Sequence, residues 1–217
     1  GVPAAPTSDY RTLRLDAAGD GLKSTEEQTT NAGVVAITGG TVTINSGKDG
    51  IDAAQTVKIL GGSLTIHAGD DAVHADAKLE VRGGTVKITA SYEGLESKVI
   101  LISGGSVDLV SSDDGINVAD GSGGDSGGFG GRPGGGGASV DGSLYLTMSG
   151  GTVTVDAAGD GFDVNGNATI SGGTLIVNGP TENFNAALDV DGTFQISGGV
   201  LLGAGSAGMA VAPERTS

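Results

Sequence analysis

Residues 48–96 read KDGIDAAQTVKILGGSLTIHAGDDAVHADAKLEVRGGTVKITASYEGLE, and their spacing decides the fold. Gly-Gly pairs begin at Gly61 and Gly83, and ten residues after each comes an acid, Asp71 or Glu93, as Asp49 follows the pair at Gly39. Behind each pair runs an alternating segment, SLTI or TVKI, with apolar residues at every second position, the period of a half-buried strand. Over the whole chain the pairs begin at Gly39, Gly61, Gly83, Gly104, Gly150, Gly172 and Gly198, with gaps of 22, 22, 21, 46, 22 and 26. A repeat of this length that buries its apolar face only against its neighbours is the mark of a solenoid.

Three short strands per repeat follow from the pattern. One comes after the pair and should stack Val42, Leu64, Val86, Val107, Val153 and Leu175 inward beside Ile44, Ile66, Ile88, Leu109, Val155 and Val177. A second precedes the pair, as in Val57 and Ile59 or Leu79 and Val81. The third follows the acidic turn, as in Ile51-Asp52-Ala53 and Val73-His74-Ala75. YRTLRLDAAGDGL at residues 10–22 matches GTVTVDAAGDGF at 151–162, so a first coil begins at about Thr12. The expected fold is all-β, a single-stranded parallel β-helix of seven to eight coils of about 22 residues, with a β-roll or another solenoid as the alternative. The nonapeptide calcium roll is excluded, since its unit should return every nine residues.

One domain is expected over 1–217: residues 1–9 form a linker or cap, 119–142 a Gly-rich loop insertion and 201–217 a C-terminal cap or tail. Pro3, Pro6 and Pro213 are candidate cap residues. The insertion carries Phe129 and Arg132, either as a tolerated loop or as a flap over a binding face.

Composition narrows the function. The chain has 43 glycines, no Trp, no Cys, 3% aromatic residues and a formal charge of −15. Absence of Cys excludes thiol catalysis and zinc-thiolate sites. The charge opposes nucleic acid and anionic membranes and favours cations, and no apolar run reaches the roughly 20 residues of a membrane span. The opening residues look like what remains after a leader is removed. A monomer is expected. The Thr-x-Thr face of the strand after each pair also suits an ice-binding helix, but Lys87 and Asp108 interrupt it.

Three neighbouring columns on one edge are rich in oxygen donors. The acids Asp49, Asp71, Glu93, Asp114, Asp160 and Glu182 form the first, with Asp20 as the first-coil equivalent. Three residues on lie Lys23, Asp52, His74, Glu96, Asn117, Asp163 and Asn185, with Asp189 as the alternative to Asn185. Lys48, Asp70, Tyr92 and Asp113 lie one before the acid. Two carboxylates about 5 Å apart repel by about 3 kcal/mol at an effective dielectric near 20. Lys23, Lys48 and Lys98 are too few to neutralise every rung. A hard cation taking oxygens from adjacent coils can do so, and Ca²⁺ is the expected ion, held among Asp49, Asp52, Asp70, Asp71, Glu93, Glu96, Asp113, Asp114, Asp160 and Asp163. The plain alternative is that Asp-Gly makes good turns and the acids are solvated. Tyr92, Lys48, His74 and Lys98 stand beside the ladder as candidate ligand-binding groups; His74 is also a candidate acid or base.

At GGSLTIHAGDDAVHAD and GGTVTVDAAGDGFDV the chain resembles a bacterial family of secreted carbohydrate-binding β-helix proteins related in fold to polysaccharide lyases. The resemblance covers about residues 12–200. It implies a right-handed, pectate-lyase-like helix, calcium held by acids of adjacent coils, a secreted or cell-surface location, and binding of cellulose or polygalacturonate-type glycans. By position it points to Asp49, Asp71, Glu93 and Asp114 and the acids beside them. Two positions depart from the pattern: Asp71 is followed by Ala72 where other turns have Gly, and Asn117 stands where several coils have an acid. Few aromatic residues (Tyr10, Tyr92, Tyr145 and Phe129) are available to grip flat cellulose. Calcium-dependent, non-catalytic binding of an acidic polysaccharide is therefore the expected function. The alternatives are a calcium-assisted lyase, with Lys23, Lys48, Lys98 or His74 as base, and a structural or adhesive surface protein.

Overall fold

A computed structural model describes residues 11–29, 32–120 and 142–216. The expectations for Gly1 to Tyr10 and for most of the Gly-rich insertion, with Phe129 and Arg132, concern residues outside these ranges. Every strand pairing is parallel between successive coils, as in Val42↔Leu64, Leu64↔Val86 and Val86↔Val107. Seven short strands stack in one sheet, one for each coil, and a 13-stranded sheet carries the rest. The molecule is thus a β-solenoid of seven turns, at the lower end of the expected number. No helix among the described residues is long and apolar enough to cross a membrane.

The two longer strands of each repeat lie in the same sheet. At the bends of Gly104, Gly150 and Gly172 they are continuous, as Val99–Ser111, Tyr145–Ala157 and Asn167–Asn178. The bend depends on the second glycine of each pair. Gly62 has φ +89°, and a Cβ there would lie 2.7 Å from the carbonyl carbon of Gly39 in the coil below. Both the backbone conformation and the stacking distance therefore exclude a side chain.

The inward stacks form as the alternation predicts. Val42, Leu64, Val86, Val107, Val153 and Leu175 are all 6% exposed or less, and their Ile, Leu and Val companions are 1% or less. Aromatic packing enters near the C-terminal end, where Phe162 stacks on Phe194 with ring centroids 5.8 Å apart. The C-terminal segment expected as a cap or tail continues the solenoid: Val200–Ala204 pairs with the strand from Asn167, and Glu214–Arg215 pairs with Phe194–Ile196.

Candidate functional site

The acidic turns line one edge because the short strands hold them in strict register. The column three residues after the acid runs Lys23↔Asp52↔His74↔Glu96↔Asn117↔Asp163↔Asp189. Asp189, not Asn185, thus closes it, and Ala186 occupies the place that counting assigned to Glu182. Gly161 N donates to Ala186 O at 3.0 Å, as Gly115 N does to Asp160 O at 2.8 Å. The 26-residue gap before the last pair carries four extra residues, and they are accommodated before the turn, leaving Glu182 exposed. Ala72 in place of glycine leaves the turn intact, its N–H meeting Glu93 O at 3.0 Å.

The first column is a chain of carboxylates bonded to amides. Asp49 Oδ1 accepts from Asp71 N at 3.1 Å, Asp71 Oδ1 from Glu93 N at 3.3 Å and Asp114 Oδ1 from Asp160 N at 2.6 Å. Asp160 Oδ1 accepts from Ala186 N. Glu93, one methylene longer, turns sideways, and its Oε2 accepts from Asn117 Nδ2 at 2.9 Å. Asp49, Asp71, Asp114 and Asp160 each spend one oxygen on the backbone and keep further lone pairs for the edge.

Among the described residues, ligand atoms lie within 4.8 Å of one another in each of four groups: Asp49, Asp52 and His74; Asp49, Asp70 and Asp71; Asp71, His74 and Glu96; and Asp114, Asp160 and Asp163. Glu93 and Asp113 are outside these groups, although both act electrically on them. His74, expected as a glycan-binding residue or a base, joins two of them. Its Nε2 lies 3.4 Å from Asp76 and 3.7 Å from Glu96. His74 and Lys98 also line a polar cavity of about 270 Å³ with Asp76, Ser97 and Asp120. A larger cavity, about 590 Å³, is at the C-terminal end among Leu188, Ile196, Leu201 and Val211, away from the acids.

The charge problem anticipated from the spacing is present. Burial, and then the neighbouring carboxylates, push Asp114 and Asp163 up to about 8. Burial and Asp71 push Glu93 up to about 8, and burial raises Asp49 to about 6. Burial raises Asp71 and Glu96 as well, and the two hydrogen-bond each other, which raises Asp71 further. At the first rung the chain supplies its own cation: Lys23 Nζ sits 2.7 Å from Asp20 and 2.5 Å from Asp52. Among the described residues, neither Lys48 nor Lys98 lies in an ion pair with a carboxylate. Tyr92, 48% exposed, is hydrogen-bonded to Asp113, which together with that carboxylate's charge pushes the phenol up to about 12.

This donor set suits a hard cation. It consists of carboxylate oxygens and one imidazole, drawn from adjacent coils, at mutual distances one ion can bridge. Asn117 adds an independent sign, since its Oδ1 is buried within this edge, between Glu96 and Asp163 of the adjacent coils, with no hydrogen-bond partner. The sequence pattern placed Asn117 in the donor column but left it out of the expected calcium ligands because its type departs from the repeat, and it left Asp189 as an alternative because the last gap is irregular.

A family model described as a carbohydrate-binding domain-containing protein matches residues 9–130, more than half of the chain. No curated protein and no solved structure gives a significant match.

Proposed function

Given that the chain belongs to this carbohydrate-binding domain family, we propose that its acidic edge binds an acidic, polygalacturonate-like polysaccharide through Ca²⁺ without cleaving it. The observation that carries the reading is the pair of carboxylate clusters, Asp71, His74 and Glu96 on one side of Asn117 and Asp114, Asp160 and Asp163 on the other. Ca²⁺ takes six to eight ligands, mainly oxygens, and three side chains leave coordination positions open. When bound, the ion would supply positive charge that accepts carboxylate oxygens of a uronate. A chain of charge −15 otherwise repels such a polymer. Asp49, Asp52 and Asp70 extend the same edge toward the first coils. Tyr92 stands beside it, exposed enough to stack on a sugar ring, and Lys48, His74 and Lys98 are the polar groups around it.

Extracellular modules hold Ca²⁺ with dissociation constants of about 10⁻⁴–10⁻³ M, which fits a domain working on glycans outside the cell. The preference for binding over lyase chemistry rests on where the arginines go: Arg14 pairs with Asp16 and Arg82 with Glu80, both away from the clusters.

In a thermal melt, chelator is expected to lower the melting temperature, and Asp71→Ala to remove most of that sensitivity. A melt indifferent to both refutes the calcium site. Polygalacturonate incubated with the protein and Ca²⁺ should yield no ultraviolet-absorbing unsaturated product; product that disappears in Lys98→Ala would make the protein a lyase.

A further inference from the structure

On the outer face of the strands before the Gly-Gly bends, Lys58↔Glu80↔Leu101↔Thr147 form one cross-strand row. In the next row Thr56 pairs with Lys78, and Val99 pairs with Tyr145. Lys78 and Val99 are neighbours across the strands, because Leu79 and Ile100, the residues that follow them, are paired. This face belongs to the 13-stranded sheet, and the calcium edge belongs to the seven-stranded one.

Glu80 points outward yet is only 2% exposed. Lys78 Nζ lies 2.7 Å from one of its oxygens and Arg82 Nη2 2.6 Å from the other. Burial raises the Glu80 carboxyl, but the Lys78 hydrogen bond and the charges of Lys78, Arg82 and Lys58 outweigh it, so Glu80 is ionised. Three cations therefore surround one carboxylate and leave a positive patch on a strongly negative chain. Glu80 also holds two of these side chains in place, and they remain 38% and 59% exposed with donors to spare. Two strands away, about 10 Å at the usual strand spacing, Tyr145 is exposed, with half-buried Val99 and Leu101 between it and the cations.

We infer that this face is a second glycan subsite that takes an anionic sugar residue without a metal. The ring lies on Val99 and Leu101 and stacks on Tyr145, while its carboxylate meets Lys58, Lys78 and Arg82. Aromatic and aliphatic surface beside fixed cations matches the two sides of a uronate, an apolar ring face and an anionic group. The inference rests on the proposed reading that the ligand is an acidic polysaccharide. It gives that polymer a contact that chelation does not remove.

The test is binding of the whole chain to polygalacturonate, with Ca²⁺ and with chelator. In chelator the wild-type chain is expected to keep a binding component that weakens as salt rises and is absent with fully methyl-esterified polymer. Tyr145→Ala should weaken that component about tenfold, Tyr145→Phe should leave it near wild type, and Lys58→Gln, outside the Glu80 ion pairs, should also weaken it. The Ca²⁺-induced rise in melting temperature should be unchanged in all three variants, which shows that they are folded. Binding that requires Ca²⁺ overturns this inference and leaves the calcium reading standing. Chelator-resistant binding that Tyr145→Ala and Lys58→Gln leave intact overturns it as well. Absence of binding under both conditions overturns both readings.

Discussion

Raising the pH of the calcium-free protein should destabilise it, and the carboxylate edge sets the size of the effect. Asp114 and Asp163 rise from 3.8 to about 8 on folding, so between about pH 4 and pH 8 the native state holds protons that the unfolded chain has released. For raised carboxylates the sign is fixed. Their contribution is fully present below the unfolded value near 4 and is lost as pH rises through the folded value near 8. Because the two belong to one cluster, we count them as about one net proton, about 1.4 kcal/mol per pH unit. From pH 5 to pH 7 the loss is about 3 kcal/mol, or about 6–12 °C in melting temperature for a chain of this size. The assay is a set of thermal melts from pH 4.5 to 8.5, in chelator and in millimolar Ca²⁺. The fall should appear in chelator and flatten with Ca²⁺, which replaces the protons. Asp114→Asn sharpens the test, because the amide oxygen can still accept from Asp160 N while the charge is gone. That variant should melt above wild type in chelator at pH 8 and gain less from Ca²⁺. A pH-independent melt in chelator, or an Asp114→Asn variant that behaves as wild type in both conditions, would refute the reasoning.

Two further predictions concern the scaffold. Gly62→Ala should cost at least about 1–3 kcal/mol in urea unfolding, from a positive φ made worse by the contact with Gly39 in the coil below. An unchanged midpoint would mean that the bend can relax. Phe162→Ala, at a fully buried ring stacked on Phe194, should cost about 3–5 kcal/mol, and a loss under about 1 kcal/mol would contradict the packing of the last coils.

The repeat was legible because each coil solves the same physical problem. Gly-Gly at a bend with positive φ, an aliphatic residue at every second position and an acid at the turn are local requirements, and they recur wherever a coil closes. Residue type and spacing alone therefore identified the inward stacks, the parallel pairing and the columns of Asp49, Asp71, Glu93, Asp114 and Asp160. Counting failed where the period changed. Glu182 lost its place to Ala186 because a count of residues cannot tell on which side of a turn four extra ones are accommodated.

What tertiary structure alone decided is how the side chains use the register. Spacing put carboxylates above one another, but only packing turned each toward the next amide, swung Glu93 to Asn117, joined Asp71 to Glu96 and drew His74 into two acidic groups. The same holds for Glu80, which the alternation places on the outside and which Lys78 and Arg82 bury. These outcomes depend on side-chain length, on burial and on the charges of neighbours, which for the acidic edge stand about one coil away in sequence and for Glu80 two residues away. Linear order does not encode such distances until the coils are stacked.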